Sequence, residues 1–432
     1  MATTTQQPQQ VPPGAFFRVP GVTARPRRVI EPGPCEQNTS YNLNSGSATN
    51  LSFTKFQTLD IDRAFLLELD FSTTYTQGAG ETLTVSPASL AAWLQNIQVQ
   101  FESAYSTFRL PGFLAFPMQQ YRSTFAPKNF VSSLVQSGAA PNPTDAFSST
   151  WFDASSPLGT PNFAFTTAGA QQKYSVFVEI PVSFYFDLYW ELQSNGQPVG
   201  APIPRAIVSP QRMAATTRNV TPRVTVAPGL SSQPNSPLLG GPVSKVAADT
   251  TSTFVGTVDA TWWRDCWIPT QSPVTEPPGR MWQYSRDYIA WQTSGAGVAA
   301  IPLDDEVPGQ GQIMSLILVT YDPALNGGIG GFTPYSAYEY IELLYGSSVQ
   351  IFQDTPTSNL YTWALQHGAT LPNSFFGFDL ALTEDGRITN ENALNTLVTA
   401  GVQARITYVP GSVPSSSATV FVGLEVLKKV GS

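Results

Sequence analysis

Histidine is nearly missing from this chain: His367, in "WALQHGAT", is one residue among 432. A Ser-His-Asp or Cys-His nucleophile would have to centre there, so that chemistry has a single place to be, and a loop or packing role suits the residue better. Cysteine is almost as scarce. Cys35 and Cys266 stand outside any metal-binding or redox spacing, which argues against a disulfide scaffold and a zinc site and fits a reducing compartment. Charged residues make up 12% of the chain, about half the usual ~25%. With 30 acidic against 22 basic residues the net charge is −8, so bulk nucleic-acid binding is not expected. No apolar run approaches the ~18 residues of a membrane span, and "MATTTQQPQQVPPG" lacks the basic-then-apolar order of a signal peptide. The expectation is a protein made soluble in the cytosol, with the three sequons at Asn38, Asn50 and Asn219 unused.

Proline is abundant, at 37 residues, and 42% of the chain is hydrophobic. Short runs rich in β-branched and aromatic residues alternate with Gly, Pro, Asn and Ser. They include "AFLLELDF" (64–71), "NIQVQF" (96–101), "YSVFVEIPVSFYF" (174–186), "PRVTV" (222–226) and "TFVGTVDATWW" (253–263). After "IPTQSPVTEPPGR" (268–280) come "QIMSLILVTY" (312–321), "SSVQIF" (347–352), "FFGFDLAL" (375–382), "ARITYV" (404–409) and "TVFVGLEVL" (419–427). These read as strands, and the proline-dense stretch between the two sets reads as a linker. Asn195-Gly196 and Asp385-Gly386 are hairpin signals.

The two sets repeat one another. "PRVTVAPG" (222–229) returns as "ARITYVPG" (404–411), and each half closes on Phe-Val-Gly, at 254–256 and 421–423. Ser86-Pro87 and Thr333-Pro334 predict two helix starts, with Leu90, Leu94 and Ile97 matching Ala337, Ile341 and Leu344 on a buried helical stripe. Val99-Gln100 and Val349-Gln350 pair the strands that follow. Several matches in order indicate a tandem duplication. The reading is all-β: an extended N-terminal arm over 1–50, a first domain over 51–269, a linker over 270–280 and a second domain over 281–432. Eight strands per domain, long loops and short helices in the loops point to two tandem eight-stranded jelly-roll β-sandwiches, a double jelly roll, more than to Ig-like sandwiches.

Segment 1–50 has little hydrophobic periodicity, yet Arg18, Arg25, Arg27 and Arg28 precede the first acid, Glu31, leaving segment 1–30 at +4. Fully extended, such an arm reaches ~160 Å, enough to touch a neighbouring molecule. "TWWRDCW" (261–267) gathers Trp262, Trp263 and Trp267 beside an Arg, a candidate domain or subunit junction before a carbohydrate platform. Asp304-Asp305-Glu306 reads as a solvated loop before a cation site, and the "GGIGG" run (327–331) lacks the Lys-Ser/Thr of a phosphate loop. No catalytic residue, cofactor or metal is expected.

The passages "LTVSPASLAAWLQNIQVQF", "FVEIPVSFYFDLYWEL", "DLALTEDGRITN" and "VFVGLEVL" resemble the corresponding elements of the double-jelly-roll major capsid proteins of tectivirus-type icosahedral viruses with an internal membrane. That resemblance runs from about Leu51 onward and implies a non-enzymatic coat protein of a bacteriophage virion. It implies a homotrimer whose six similar domains tile a hexagonal lattice, with neighbouring trimers, minor capsid or penton proteins and an internal lipid membrane as partners, and no sequence-specific nucleic-acid contact. The arm arginines would then face inward, towards membrane or neighbours. A lectin-like or carbohydrate-active sandwich and a virion spike or receptor-binding protein are the alternatives.

Overall fold

A computed structural model describes the chain as follows. In the first half it describes residues 24–29, 39–42, 49–52, 56–57, 61–76, 83–85, 94–101, 105–119, 131–136, 163–164, 171–181, 188–189, 203–204, 211–212, 219–226, 244–245 and 253–269. In the second it describes 282–304, 311–325, 331–346, 349–367, 371, 374–382, 393–396 and 401–429.

The strands of the first half are β1 (Ala24–Val29), β2 (Thr39–Asn42), β3 (Thr49–Ser52), β4 (Ile61–Thr76), β5 (Leu94–Phe101) and β6 (Tyr105–Leu110). Helix α1 (Gly112–Gln119) follows, then β7 (Val131–Gln136), β8 (Gln171–Pro181), β9 (Asn219–Val226) and β10 (Thr253–Pro269). The second half runs β11 (Trp282–Gln292), β12 (Val298–Pro302), β13 (Gly311–Asp322), β14 (Tyr338–Tyr345), β15 (Val349–Asp354), helix α2 (Pro356–His367), β16 (Phe376–Asp379), β17 (Val402–Tyr408) and β18 (Thr419–Lys429).

Pairing makes the duplication explicit. In the first half, β2-β10-β4-β8 and β3-β9-β5-β6 form two antiparallel four-strand paths. In the second half, β11-β18-β13-β16 and β12-β17-β14-β15 repeat both orders. Each half thus joins its first, last, third and sixth principal strands in one path and its second, seventh, fourth and fifth in the other. That crossing of sequential strands between two sheets is the jelly-roll connection. The "PRVTV" and "ARITY" strands occupy the same place, with Arg223 opposite Gln98 and Arg405 opposite Glu342. The turn after the second copy shows why Pro-Gly is written there: Ser412 N–H donates to the Val409 carbonyl (2.9 Å) across Pro410 and Gly411, and Gly411 has φ +85°. Proline presets the first central position of such a turn and glycine supplies the positive φ of the second.

The core of the second half lies between its two paths. Val420, Val422, Leu424 and Val426 of β18 and Leu316 and Leu318 of β13 meet Ile341 and Leu343 of β14 and Val402, Ala404 and Ile406 of β17. Alternation along β17 is strict, buried at every second residue. In the first half Leu51, Ile97, Val99 and Val224 are buried in the same cross-strand rows.

Four expectations change. Leu94 and Ile97 belong to strand β5, and Ile341 and Leu344 to β14, with only Tyr335–Ala337 forming a 3-10 turn; no helix spans those positions. The helical spacing of buried residues in β14 arises because its ladder has irregularities between Tyr338 and Tyr340 and between Leu343 and Leu344, each resetting the period-two alternation. Val349-Gln350 lies in β15, the neighbour of β14, so it does not correspond to Val99-Gln100 in β5. One common offset in numbering instead carries both members of the cross-strand pair Val99/Phe108 onto Leu343/Phe352. Finally, parts of the expected arm are strands of the sandwich: β1 and β2 pair with β10, and β3 with β9. Backbone donors along the outer side of β10 are satisfied this way, a demand that side-chain periodicity does not reveal. The proposed linker at 270–280, the hairpins at Asn195-Gly196 and Asp385-Gly386, the glycines of residues 327–330, Ser86 and Leu90 lie outside the described residues.

Candidate functional site at the junction of the two halves

The two halves share one sheet. Strand β6 of the first half lies parallel to β11 of the second, with Phe108 opposite Arg286, so β3-β9-β5-β6 continues into β11-β18-β13. Phe108 is fully buried at this seam.

Charge is buried beside it. Arg286 (β11) and Ser315 (β13) flank Glu425 (β18) on neighbouring strands: Arg286 Nη2 donates to Glu425 Oε1 at 3.3 Å and Ser315 Oγ to Oε2 at 2.9 Å. The two charged side chains are 2% and 0% exposed, so the carboxylate depends on partners within the protein. Further out, Arg109 of β6 donates to Asp287 of β11 at 2.6 Å and lies 5.4 Å from the Tyr288 ring.

Helix α1 closes the seam. Pro111 starts it, its carbonyl accepting from Leu114 and Ala115 N–H, and Phe113, Leu114, Ala115 and Met118 are all buried. Phe113 meets Phe421 of β18 edge-on at 5.1 Å and Phe332 at 5.8 Å. Gly423 is the glycine of the second Phe-Val-Gly, and a Cβ there would stand 2.7 Å from Met118 Sδ and 3.6 Å from Leu114 Cδ1. The glycine therefore has a packing reason: it lets the helix approach the strand.

Helix α2 occupies the same place in the second half, between its fifth and sixth principal strands. Thr355 caps it, accepting from Asn359 N–H through its carbonyl (3.0 Å) and from Ser358 N–H through its hydroxyl (3.3 Å), and Pro356 fills the first turn. Buried Asn359 donates to the Gly377 carbonyl (2.9 Å) and accepts from Gly377 N–H (3.0 Å). Trp363 lies over Gly377, where a Cβ would meet its ring at 2.4 Å. His367 ends the helix, its ring 4.2 Å from that of Trp363 and its Nε2 3.4 Å from Asp379 Oδ2. The lone histidine thus takes part in packing the helix onto β16.

The residues singled out in the sequence are placed as follows. Arg25, Arg27 and Arg28 lie on β1, in register with Ile268, Cys266 and Asp265 of β10; Arg18 lies outside the described residues. Trp262, Trp263 and Trp267 lie on β10 opposite Leu67, Leu66 and Ile61, and their side chains are outside the described residues. Asp304 accepts from Gly401 N–H at 2.8 Å, a loop-closing role, while Asp305 and Glu306 lie outside the described residues. Sequence reasoning missed both helices and the Arg286-Glu425-Ser315 row. The Thr355-Pro356 start of α2 is the same N-cap signal that the sequence writes at Thr333-Pro334.

No family model and no curated protein matches the chain. Among solved structures it is similar to the STIV MCP (TM-score 0.51, 10% identity, covering 94% of this chain and 97% of that one). It is equally similar to PBCV-1 VP54 as fitted into a reconstruction of the virophage Sputnik (TM-score 0.51, 11% identity, 96% and 98%). The quasi-atomic PBCV-1 virus capsid gives a TM-score of 0.50 at 11% identity, again covering 96% and 98%. End to end, the chain has the double-jelly-roll fold of these capsid proteins.

Proposed function

We propose that this chain is a major capsid protein that assembles into the shell of an icosahedral virion. The observation that carries this reading is the whole-length likeness of both halves, in order, to the fold of viral capsid proteins. The doubled architecture supports it physically. Three copies in a closed ring present six similar edges, which suits a hexagonal lattice of trimers. Low charge fits a chain that buries much of its surface, obligate interfaces typically exceeding ~2,000 Å².

In its finer form the reading places the chain in the tectivirus-like lineage of bacteriophages with an internal membrane, with minor capsid proteins at the vertices. Arg18, Arg25, Arg27 and Arg28 face inward in this reading, towards the membrane or neighbouring chains, each worth about 1 kcal/mol near an anionic surface. Trp262, Trp263 and Trp267 contribute to a domain or subunit junction in this reading.

Mass measurement of the purified full-length protein tests the reading. A trimer is expected, and a monodisperse monomer at micromolar concentration refutes it. Removing residues 1–23, which spares strands β1 to β3, is expected to leave the trimer intact and to block shell formation.

A further inference from the structure

The duplication leaves one half of a contact without its counterpart. In the first half, β6 and the helix behind it are consumed by the seam with the second half. Their equivalents in the second half, β15 and the outer face of α2, carry exposed apolar side chains. Phe108 of β6 is 1% exposed, whereas Phe352, its counterpart in the repeat, is 42% exposed. Four of the six large exposed hydrophobic residues among the described ones are Val349 (59%) and Phe352 on β15 and Tyr361 (67%) and Leu365 (68%) on α2. Tyr361 and Leu365 are four apart, on one face of α2, while Asn359 and Trp363 hold its other side against β16. Solvated aliphatic and aromatic side chains concentrated on one strand and its helix mark an interaction surface.

The receiving edge exists as well. In the seam, β6 joins β11, the first strand of the second half, on the side away from β18. The equivalent strand of the first half is β2, extended along β10 by β1. Among the described residues β1 and β2 pair with β10 alone, and β15 with β14 alone. Among the described residues, therefore, β15 and the β1/β2 row each have an edge with no paired strand, matching the two sides of a junction already formed once within the chain.

We infer that β15 and the outer face of α2 dock on the β1/β2 edge of a second copy of this chain, repeating between chains the seam that β6 and α1 make within one. Such a head-to-tail contact is heterologous, and closes on itself only when the rotation completes a ring. With the seam inside each chain alternating with the contact between chains, a ring of three has six similar junctions. The inference rests on the coat-protein reading and adds the residues that hold the ring together. Val298, exposed on β12, lies off this surface and serves as a control.

The test uses the full-length protein. The double variant Phe352→Asp/Leu365→Asp replaces exposed side chains, so it is expected to keep the wild-type circular dichroism spectrum while its mass in solution falls to one third. Val298→Asp is expected to remain a trimer. A photo-crosslinking residue at 352 is expected to join peptides from residues 24–42 of another chain. If the wild type is a trimer and the double variant stays one, or if the crosslinks fall elsewhere, this surface is wrong and the coat reading stands. If the wild type is a monomer, the coat reading fails and the docking surface with it.

Discussion

Replacing Arg286 with leucine tests whether the buried row at the seam is a determinant of stability. The substitution leaves Glu425, fully buried, with Ser315 donating to one carboxylate oxygen and with the arginine gone from the other. Breaking a buried pair by removing one partner costs about 3–5 kcal/mol, because the remaining charge keeps its desolvation penalty. A domain of this size loses about 2–4 °C of melting temperature per kcal/mol, so R286L is expected to lower the transition by roughly 6–20 °C in differential scanning calorimetry. The double variant R286L/E425L removes the charge along with its partner. Exchanging a buried pair for apolar residues of similar volume is often neutral or better, so it is expected to recover most of the loss. The reasoning is refuted if R286L melts within about 2 °C of wild type, or if the double variant is no more stable than the single one.

Two further outcomes follow from the second half. Gly377→Ala places a methyl 2.4 Å from the Trp363 ring, and overpacking of that kind typically costs about 1–3 kcal/mol; a lower melting temperature with a red-shifted tryptophan emission is expected, as α2 lifts from β16. At high pH the tyrosine cluster sets the limit. Burial, with the Asp322 charge adding to it, pushes Tyr321 up to about 12, and burial raises Tyr408 to about 12 against the opposing effect of its Thr320 contact. Tyr335 and Tyr338 are raised further by the same cause. A phenol that ionises near pH 10 when unfolded and near 12 when folded contributes stability fully below pH 10 and loses it as pH rises through 12. Phenolate absorbance of these residues is expected to appear only near pH 12 or together with unfolding. Complete ionisation near pH 10 with the fold intact contradicts this.

The strands were legible because each runs in period two or in an unbroken apolar stretch, and the duplication was legible because Arg-x-Thr keeps its register in both halves and the Pro-Gly phrase follows it in both sequences. The helices were not. In β14 two ladder irregularities mimic a helical repeat, while α1, "GFLAFPMQ", is apolar all round because it is buried between the halves, so it offers no amphipathic stripe. Glu425 and Arg286 look like ordinary surface charges in a strand pattern. Only the arrival of β6 and α1, distant in sequence from both, turns their face into an interior.

That arrival has a consequence for synthesis. Phe113 emerges from the ribosome long before its partner Phe421, and β18 follows every other described strand in the sequence. Until then the first half folds with β6 and α1 uncovered, carrying the kind of surface that β15 and α2 present in the finished chain. On a polysome, a neighbour's completed second half would compete with the chain's own for that surface, and capture would give a swapped pair. If the inferred contact between chains forms, correct assembly depends on the order in which two similar contacts are made, with the one inside the chain favoured by its high effective concentration. A chain that terminates before Thr419 can never make the first contact, so any such fragment keeps its adhesive face for as long as it survives.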